Sequence, residues 1–217
     1  MNTKEKFVIT VSRELGSGGH TIAHKLAQRL DVRFCDKELI HALSERFQLT
    51  PASIERLKAE KKQWLADFMR LVFPAPAANR FIGDEQFRLY GKEFNPEVTT
   101  DDIFLAETEI LRELAEEESC VIAGRSGFFV LRNHPNRLDV FITASREKRI
   151  ARVMAKQELT REQAIEVIDK VDKARENYIQ RYAGTSRYDA RNYNLTLNVD
   201  GLSEDEAVDI ILAYIKG

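Results

Sequence analysis

The chain has 217 residues, 43% of them hydrophobic and 31% charged, with a formal net charge of −2. A sequence of this size buries one substantial core without disulfides or a structural metal, and its near-neutral balance supplies no global basic field for duplex nucleic acid. No apolar run approaches the ~20 residues that span a bilayer, and the opening Met1-Asn2-Thr3-Lys4-Glu5-Lys6 has no signal-type apolar core, so a cytoplasmic protein without membrane or nucleic-acid partners is expected.

Phe7 to Val11 is a β-branched run and reads as the first strand. It leads into Ser12-Arg13-Glu14-Leu15-Gly16-Ser17-Gly18-Gly19, after which Ile22, Ala23, Leu26, Ala27 and Leu30 recur at helical spacing. The opening unit is therefore strand, glycine loop, helix. Val32 to Cys35 gives a second strand, with Asp36 at its end and a helix to about Phe47. Thr50-Pro51 pairs a capping residue with proline at the first helical position and opens a helix to about Val72. On that helix Trp64, Phe68, Leu71 and Val72 form an apolar stripe, fit for core packing or for a homodimer face. Phe73 to Thr99 is broken by Pro74, Pro76 and Pro96 and reads as an irregular, partly helical insertion.

Ile103, Ala106, Ile110, Leu111 and Leu114 mark the next helix. Cys120 to Ala123 is a strand ending in Gly124-Arg125, and Leu138 to Thr143 is another, with Ser145 placed to cap an arginine-rich helix. Thr160 with Gln163 predicts a capping box for a helix to about Tyr182. Leu195 to Val199 is the last strand, and Ser203 with Glu206 starts the final helix. The two cysteines, Cys35 and Cys120, fall in apolar strand positions and are expected as buried thiols. The four histidines show no paired metal-ligand spacing, and no metal ligand is assigned.

Strands alternating with helices predict a parallel central sheet covered on both faces, a three-layer α/β sandwich. Such sheets bind ligands outside the carboxyl ends of their strands. The glycine loop, Asp36, Arg125 and the helix after the fourth strand should therefore face one crevice.

Gly16, Ser17, Gly18, Gly19, His20 and Thr21 lie where backbone N–H groups and a helix N-terminus can cradle phosphate. The phosphate-loop pattern G-x-x-x-x-G-K-[ST] is not matched. Arg13 occupies its first glycine, Gly19 its lysine, and His20 the Ser or Thr whose hydroxyl holds magnesium. Arg13 is the candidate substitute cation. A glycine turn without a ligand is the plain alternative.

Ile9 to Ala23, with its Ser12-Arg13-Glu14-Leu15-Gly16-Ser17-Gly18-Gly19 core, resembles the opening of the cytidylate kinase-like family, a branch of the P-loop nucleoside monophosphate kinases. Phe34 to Ile40, Val121 to Arg125, Val140 to Ser145 with Arg149 and Arg152, and Asn194 to Val199 are similar to later family segments, while about 50 to 100 has no clear counterpart. The resemblance implies a single P-loop kinase-like domain over 1–217, with a helical insertion at about 48–100 and a helical lid at about 145–190.

It also implies phosphoryl transfer from ATP, with Mg2+ carried by the nucleotide, to a nucleoside monophosphate. By position, Asp36 and Arg125 would contact the acceptor; Ser126 stands where cytidylate kinases carry aspartate, so a CMP or dCMP acceptor is an expectation with that departure. Arg149, Arg152 and Arg175 would act on phosphate from the lid, together with Arg13. The missing lysine keeps open a regulatory protein that holds nucleotide without turnover, or a kinase for another small acceptor.

Overall fold

The computed structural model describes residues 1–36, 104, 108, 111–112, 114–124 and 126–216. Its strands are β1 (Val8–Arg13), β2 (Arg33–Cys35), β3 (Cys120–Ala123), β4 (Arg137–Thr143) and β5 (Leu195–Asn198). They form one parallel sheet in the order β2-β3-β1-β4-β5. The described helices are α1 (Gly19–Leu30), α2 (Gly127–Val130), α3 (Arg146–Gln157), α4 (Arg161–Ala183) and α5 (Glu204–Lys216).

A central parallel strand is covered on both faces, so it reads as a continuous apolar run. In β1, Val8, Ile9, Thr10 and Val11 are all buried, with Val11 registered against Ala123 on one side and Val140 on the other. Centrality has a consequence. The loop after β1 emerges between the ends of β3 and β4.

On the face carrying Ile9 and Val11, α1 and α5 close the core through Ile22, Leu26, Val208 and Ile211. Lys25 to Asp205 at 2.8 Å and Arg29 to Asp209 at 2.7 Å rim the same seam. Exposed pairs of this kind contribute about 0–1 kcal/mol each. Truncating one buried leucine costs about 2–5 kcal/mol, so the apolar contact holds these helices. On the Thr10 face, Phe128 of α2 packs with Tyr178 and Ile179 of α4, and Phe104 stacks on Tyr182 with centroids 4.0 Å apart. A third cluster joins α3 to α4 through Ile150, Val153, Ala164 and Ile168, and Leu15 of the glycine loop packs against it. Loop and helical hairpin therefore share packing.

The three-layer parallel architecture is the one expected. The first strand runs on to Arg13, two residues past Val11, because its pairing with β4 continues to Ile142. The Thr160–Gln163 box forms, with Gln163 N–H donating to Thr160 Oγ1 at 3.3 Å and Thr160 N–H to Gln163 Oε1 at 2.9 Å. Ser203 and Glu206 pair likewise. Ser145 differs from expectation: its hydroxyl makes no cap, and its N–H donates instead to the Asp200 carboxylate at 3.1 Å. A carboxylate imported from after β5 thus serves the positive end of α3. Both cysteines are buried and outside any disulfide. No described helix is long and apolar enough to cross a membrane. The expected helices from 37 to 72, the Trp64 stripe and the insertion at about 48–100 lie outside the described residues.

Candidate functional site

The glycine loop is shaped by close contacts that admit no side chain. Gly16 and Gly18 have φ of 83° and 84°, the left-handed region that side chains disfavour. A Cβ on Gly16 would lie 2.6 Å from the main-chain oxygen of Arg149. One on Gly18 would lie 3.0 Å from the guanidinium of Arg152. Ser17 staples the turn: its hydroxyl donates to Glu14 O at 2.9 Å and accepts from Gly19 N–H at 3.4 Å. α1 then starts with no acidic residue in its first turn, so its positive end is not neutralised from within.

Behind the loop lies a buried ionic cluster. Arg149 donates Nε to Leu15 O at 2.8 Å and Nη1 to Glu14 Oε1 at 3.0 Å, and its Nη2 pairs with Asp172. Asp172 Oδ1 accepts from Leu15 N–H at 3.1 Å, from Arg187 Nη1 at 3.2 Å and from Arg175 Nη1 at 3.4 Å. Arg175 and Arg187 also donate to the main-chain oxygen of Arg13, the former at 3.0 Å. Glu14 bonds the Thr143 hydroxyl at the end of β4. The loop is thereby tied to both helices of the hairpin.

Within this cluster, among the described residues, three buried arginines, Arg149, Arg175 and Arg187, meet two carboxylates, Glu14 and Asp172. Among these groups the surplus is positive. Burial, together with Arg13 and Arg187 nearby, pushes the Arg175 guanidinium well below its ordinary pKa. Uncompensated buried positive charge is costly unless an anion joins it.

A hollow opens on this cluster. Gly16, Gly18, Gly19, His20 and Thr21 form one wall; Arg13, Arg152, Lys156, Gln157 and Arg175 contribute most of the polar remainder. Among the described residues, Arg175 Nε and Gln157 Oε1 are buried polar atoms without a hydrogen-bond partner, and both residues line the hollow. Arg152 also pairs with Glu204 of α5.

At the β2–β3 side, His20 Nε2 lies 2.6 Å from Asp36 Oδ2. Asp36 is buried, whereas the His20 side chain is 47% exposed. The Phe34 ring meets His20 edge-on at 5.4 Å and His24 at 5.1 Å. The Arg13 guanidinium runs toward β3: a Cβ on Gly124 would meet its Nη1 at 1.9 Å. Arg13 therefore spans from its own strand to the end of the neighbouring one. Arg125 lies outside the described residues. Ser126 is buried with φ 55°, a left-handed backbone that is unusual for serine.

The fold thus collects Gly16, Gly18, Gly19, His20, Thr21, Arg13, Arg152 and Arg175 around one hollow, with Ser17 bracing the loop and Asp36 beside His20. Arg149 is placed behind the loop, holding Glu14, Leu15 and Asp172. Sequence reasoning passed over Glu14, Arg187, Lys156 and Gln157. Gln157 ends the arginine-rich helix and could have been found from a buried amide at a helix terminus; Arg187 sits in an aperiodic loop that carries no such signal.

Comparison with solved structures agrees with this architecture. An uncharacterized protein from Eubacterium ventriosum ATCC 27560 is similar with a TM-score of 0.68 and 24% identity, covering 98% of this chain and 99% of that one. Shikimate kinase from Bacteroides thetaiotaomicron gives 0.54 and 17%, covering 97% and 99%. Shikimate kinase from Acinetobacter baumannii, in complex with shikimate, gives 0.52 and 14%, covering 99% and 97%. At these identities the likeness is one of fold. No curated protein matches the chain. Residues 8–201 match the cytidylate kinase-like family, a span that includes the glycine loop, the sheet and both hairpin helices, and the chain belongs to that family.

Proposed function

We propose that the protein transfers a phosphoryl group from ATP to a small acceptor, with a nucleoside monophosphate of the CMP or dCMP type as the first candidate. Family membership supports a kinase for nucleotides or other small molecules. The single observation that carries the phosphate assignment is the positive surplus among the described groups around the loop, with the buried Nε of Arg175, a residue that lines the hollow, without a hydrogen-bond partner among them. A polyphosphate supplies an anion to balance it.

Phosphoryl transfer asks a protein mainly for positioning and for cations around the transferring oxygens. The loop glycines let the backbone approach the phosphates. Arg152, Lys156 and Arg175 replace the absent lysine from the hairpin side, and Arg13, reaching toward Gly124, serves the acceptor side with Asp36 and Arg125. Arg149 positions the loop through Glu14, Leu15 and Asp172. The divalent cation arrives with the nucleotide.

An ADP-release assay with CMP, dCMP, UMP, AMP and no acceptor tests the reading. Turnover with one monophosphate is expected. A second reading is favoured by the engagement of Arg149 and Arg175 with Asp172: the protein binds nucleotide without turnover. Tight ATP binding with no ADP release across the panel would select it.

A further inference from the structure

His20 and Asp36 are sixteen residues apart, and the fold brings them to one point at the edge of the phosphate hollow. His20 Nε2 stands 2.6 Å from Asp36 Oδ2, and His20 itself lines the hollow. Asp36 is buried just after β2, and the Phe34 ring stands roughly perpendicular to the imidazole with centroids 5.4 Å apart. In loops that match the standard pattern, the side chain at the position of His20 is a hydroxyl that holds the nucleotide's cation. Here an imidazole nitrogen lines that place with the carboxylate oxygen Oδ2 beside it, and the acceptor contact proposed above falls to Asp36 Oδ1.

We infer that His20 Nε2 and Asp36 Oδ2 are protein ligands for the divalent cation that accompanies the nucleotide, and that this mixed nitrogen–oxygen pair favours the transition ion Mn2+ over Mg2+. The inference rests on the phosphate reading above. Two donors bound side by side to one ion, each at about 2.1 Å, stand about 3 Å apart. The observed separation needs only a small adjustment to reach that spacing. To ligate through Nε2 the neutral imidazole carries its hydrogen on Nδ1, so the His20–Asp36 hydrogen bond gives way to two bonds to the cation.

Mg2+ prefers near-octahedral oxygen ligands, whereas imidazole suits the later transition metals and tolerates Mn2+. Among the described residues no group of three or more histidine, cysteine, aspartate or glutamate side chains could hold a metal ion. Two protein ligands are too few for tight binding alone, so the remaining positions fall to phosphate oxygens and water. Metal and nucleotide must therefore strengthen each other reciprocally.

The experiment is pulsed electron paramagnetic resonance on the full chain with Mn2+ and ADP, alongside calorimetric ADP binding with Mn2+, Mg2+ or EDTA. Expected are a protein-bound Mn2+–ADP signal with nitrogen hyperfine coupling, loss of that coupling in His20→Gln, and weak Mn2+ binding without ADP. Mn2+ should tighten ADP about tenfold more than Mg2+ does, on the scale of one ligand's effect on metal affinity. His20→Ser, which restores a hydroxyl, should shift the preference back toward Mg2+. Bound Mn2+–ADP without nitrogen coupling in the wild type overturns this inference and leaves the phosphate site standing. No ADP binding under any metal condition overturns both.

Discussion

Arg175 of α4 donates its Nη1 to the main-chain oxygen of Arg13, the last residue of β1, at 3.0 Å. This bond joins residues 162 positions apart, and it sets the strand end where the glycine loop begins. Arg187 reaches the same oxygen, and Asp172 holds both guanidiniums. The hairpin thus shapes the loop that it faces. Nucleotide affinity should depend on residues that touch no phosphate.

Asp172 is the sharpest test of that dependence. Asp172→Ala leaves Arg149, Arg175 and Arg187 buried with one carboxylate, Glu14, among the described residues of the cluster. Removing one partner of a buried ion pair costs about 3–5 kcal/mol. Asp172→Asn keeps an acceptor for Leu15 N–H and should cost less. Urea unfolding of the three proteins measures the order, and an alanine variant as stable as wild type would show that the cluster contributes nothing to the fold.

Gly18→Val should remove nucleotide binding while the sheet stays folded. The left-handed φ of 84° opposes the side chain, and so does the Arg152 guanidinium, 3.0 Å from where its Cβ would lie. A left-handed backbone at a non-glycine residue costs roughly 1–2 kcal/mol, and β-branching adds to it. Calorimetry with ATP and far-UV circular dichroism read the two effects separately. Retained ATP affinity in a folded variant would refute the phosphate-loop assignment.

Gly124→Ala tests the acceptor role given to Arg13. The new methyl would collide with Arg13 Nη1, the far end of a long side chain, and would occupy a left-handed position with φ 80°. Arg13 should swing away, lowering kcat/KM for the acceptor by about tenfold or more, equivalent to ~1.4 kcal/mol. ATP affinity should change little. Equal losses on both substrates would show that Arg13 serves the nucleotide side.

Asp139 gives a prediction in pH. Burial raises its pKa from the ordinary 3.8, opposed by the hydrogen bond from Thr10 Oγ1 at 2.5 Å and by Arg137 at 2.5 Å. The folded state therefore binds this proton more tightly than the unfolded state. The stability it contributes is complete below the unfolded value and is lost as pH rises through the folded one. Asp139→Asn cannot titrate, so its thermal midpoint should improve relative to wild type as pH rises from below the ordinary carboxylate value toward neutrality. Parallel curves across that range would remove the effect.

Much of this was legible along the chain because its physical signals are local. The buried run at Val8 to Val11, the helical spacing from Ile22 to Leu30 and the Thr160–Gln163 box each lie within a few turns or one strand, and each formed as read. Ser145 starts its helix without a side-chain cap, and its N–H is taken by Asp200, 55 positions away, a contact that no local pattern announces. The same limit hid the ionic cluster. Arginines were visible in α3 and α4, but which of them would face phosphate and which would be spent on Asp172 depends on helix rotation and on the loop packing beneath.

By itself, then, the sequence determined the parallel sandwich, the glycine loop at the end of its first strand and the family to which the chain belongs. Tertiary structure alone decided that Arg149 braces the loop, that Arg13 crosses toward Gly124 and that His20 meets Asp36. Periodicity reports which face of an element is buried. It carries no information about which distant side chain will lie against that face, because that choice is made by close packing among elements far apart in the chain.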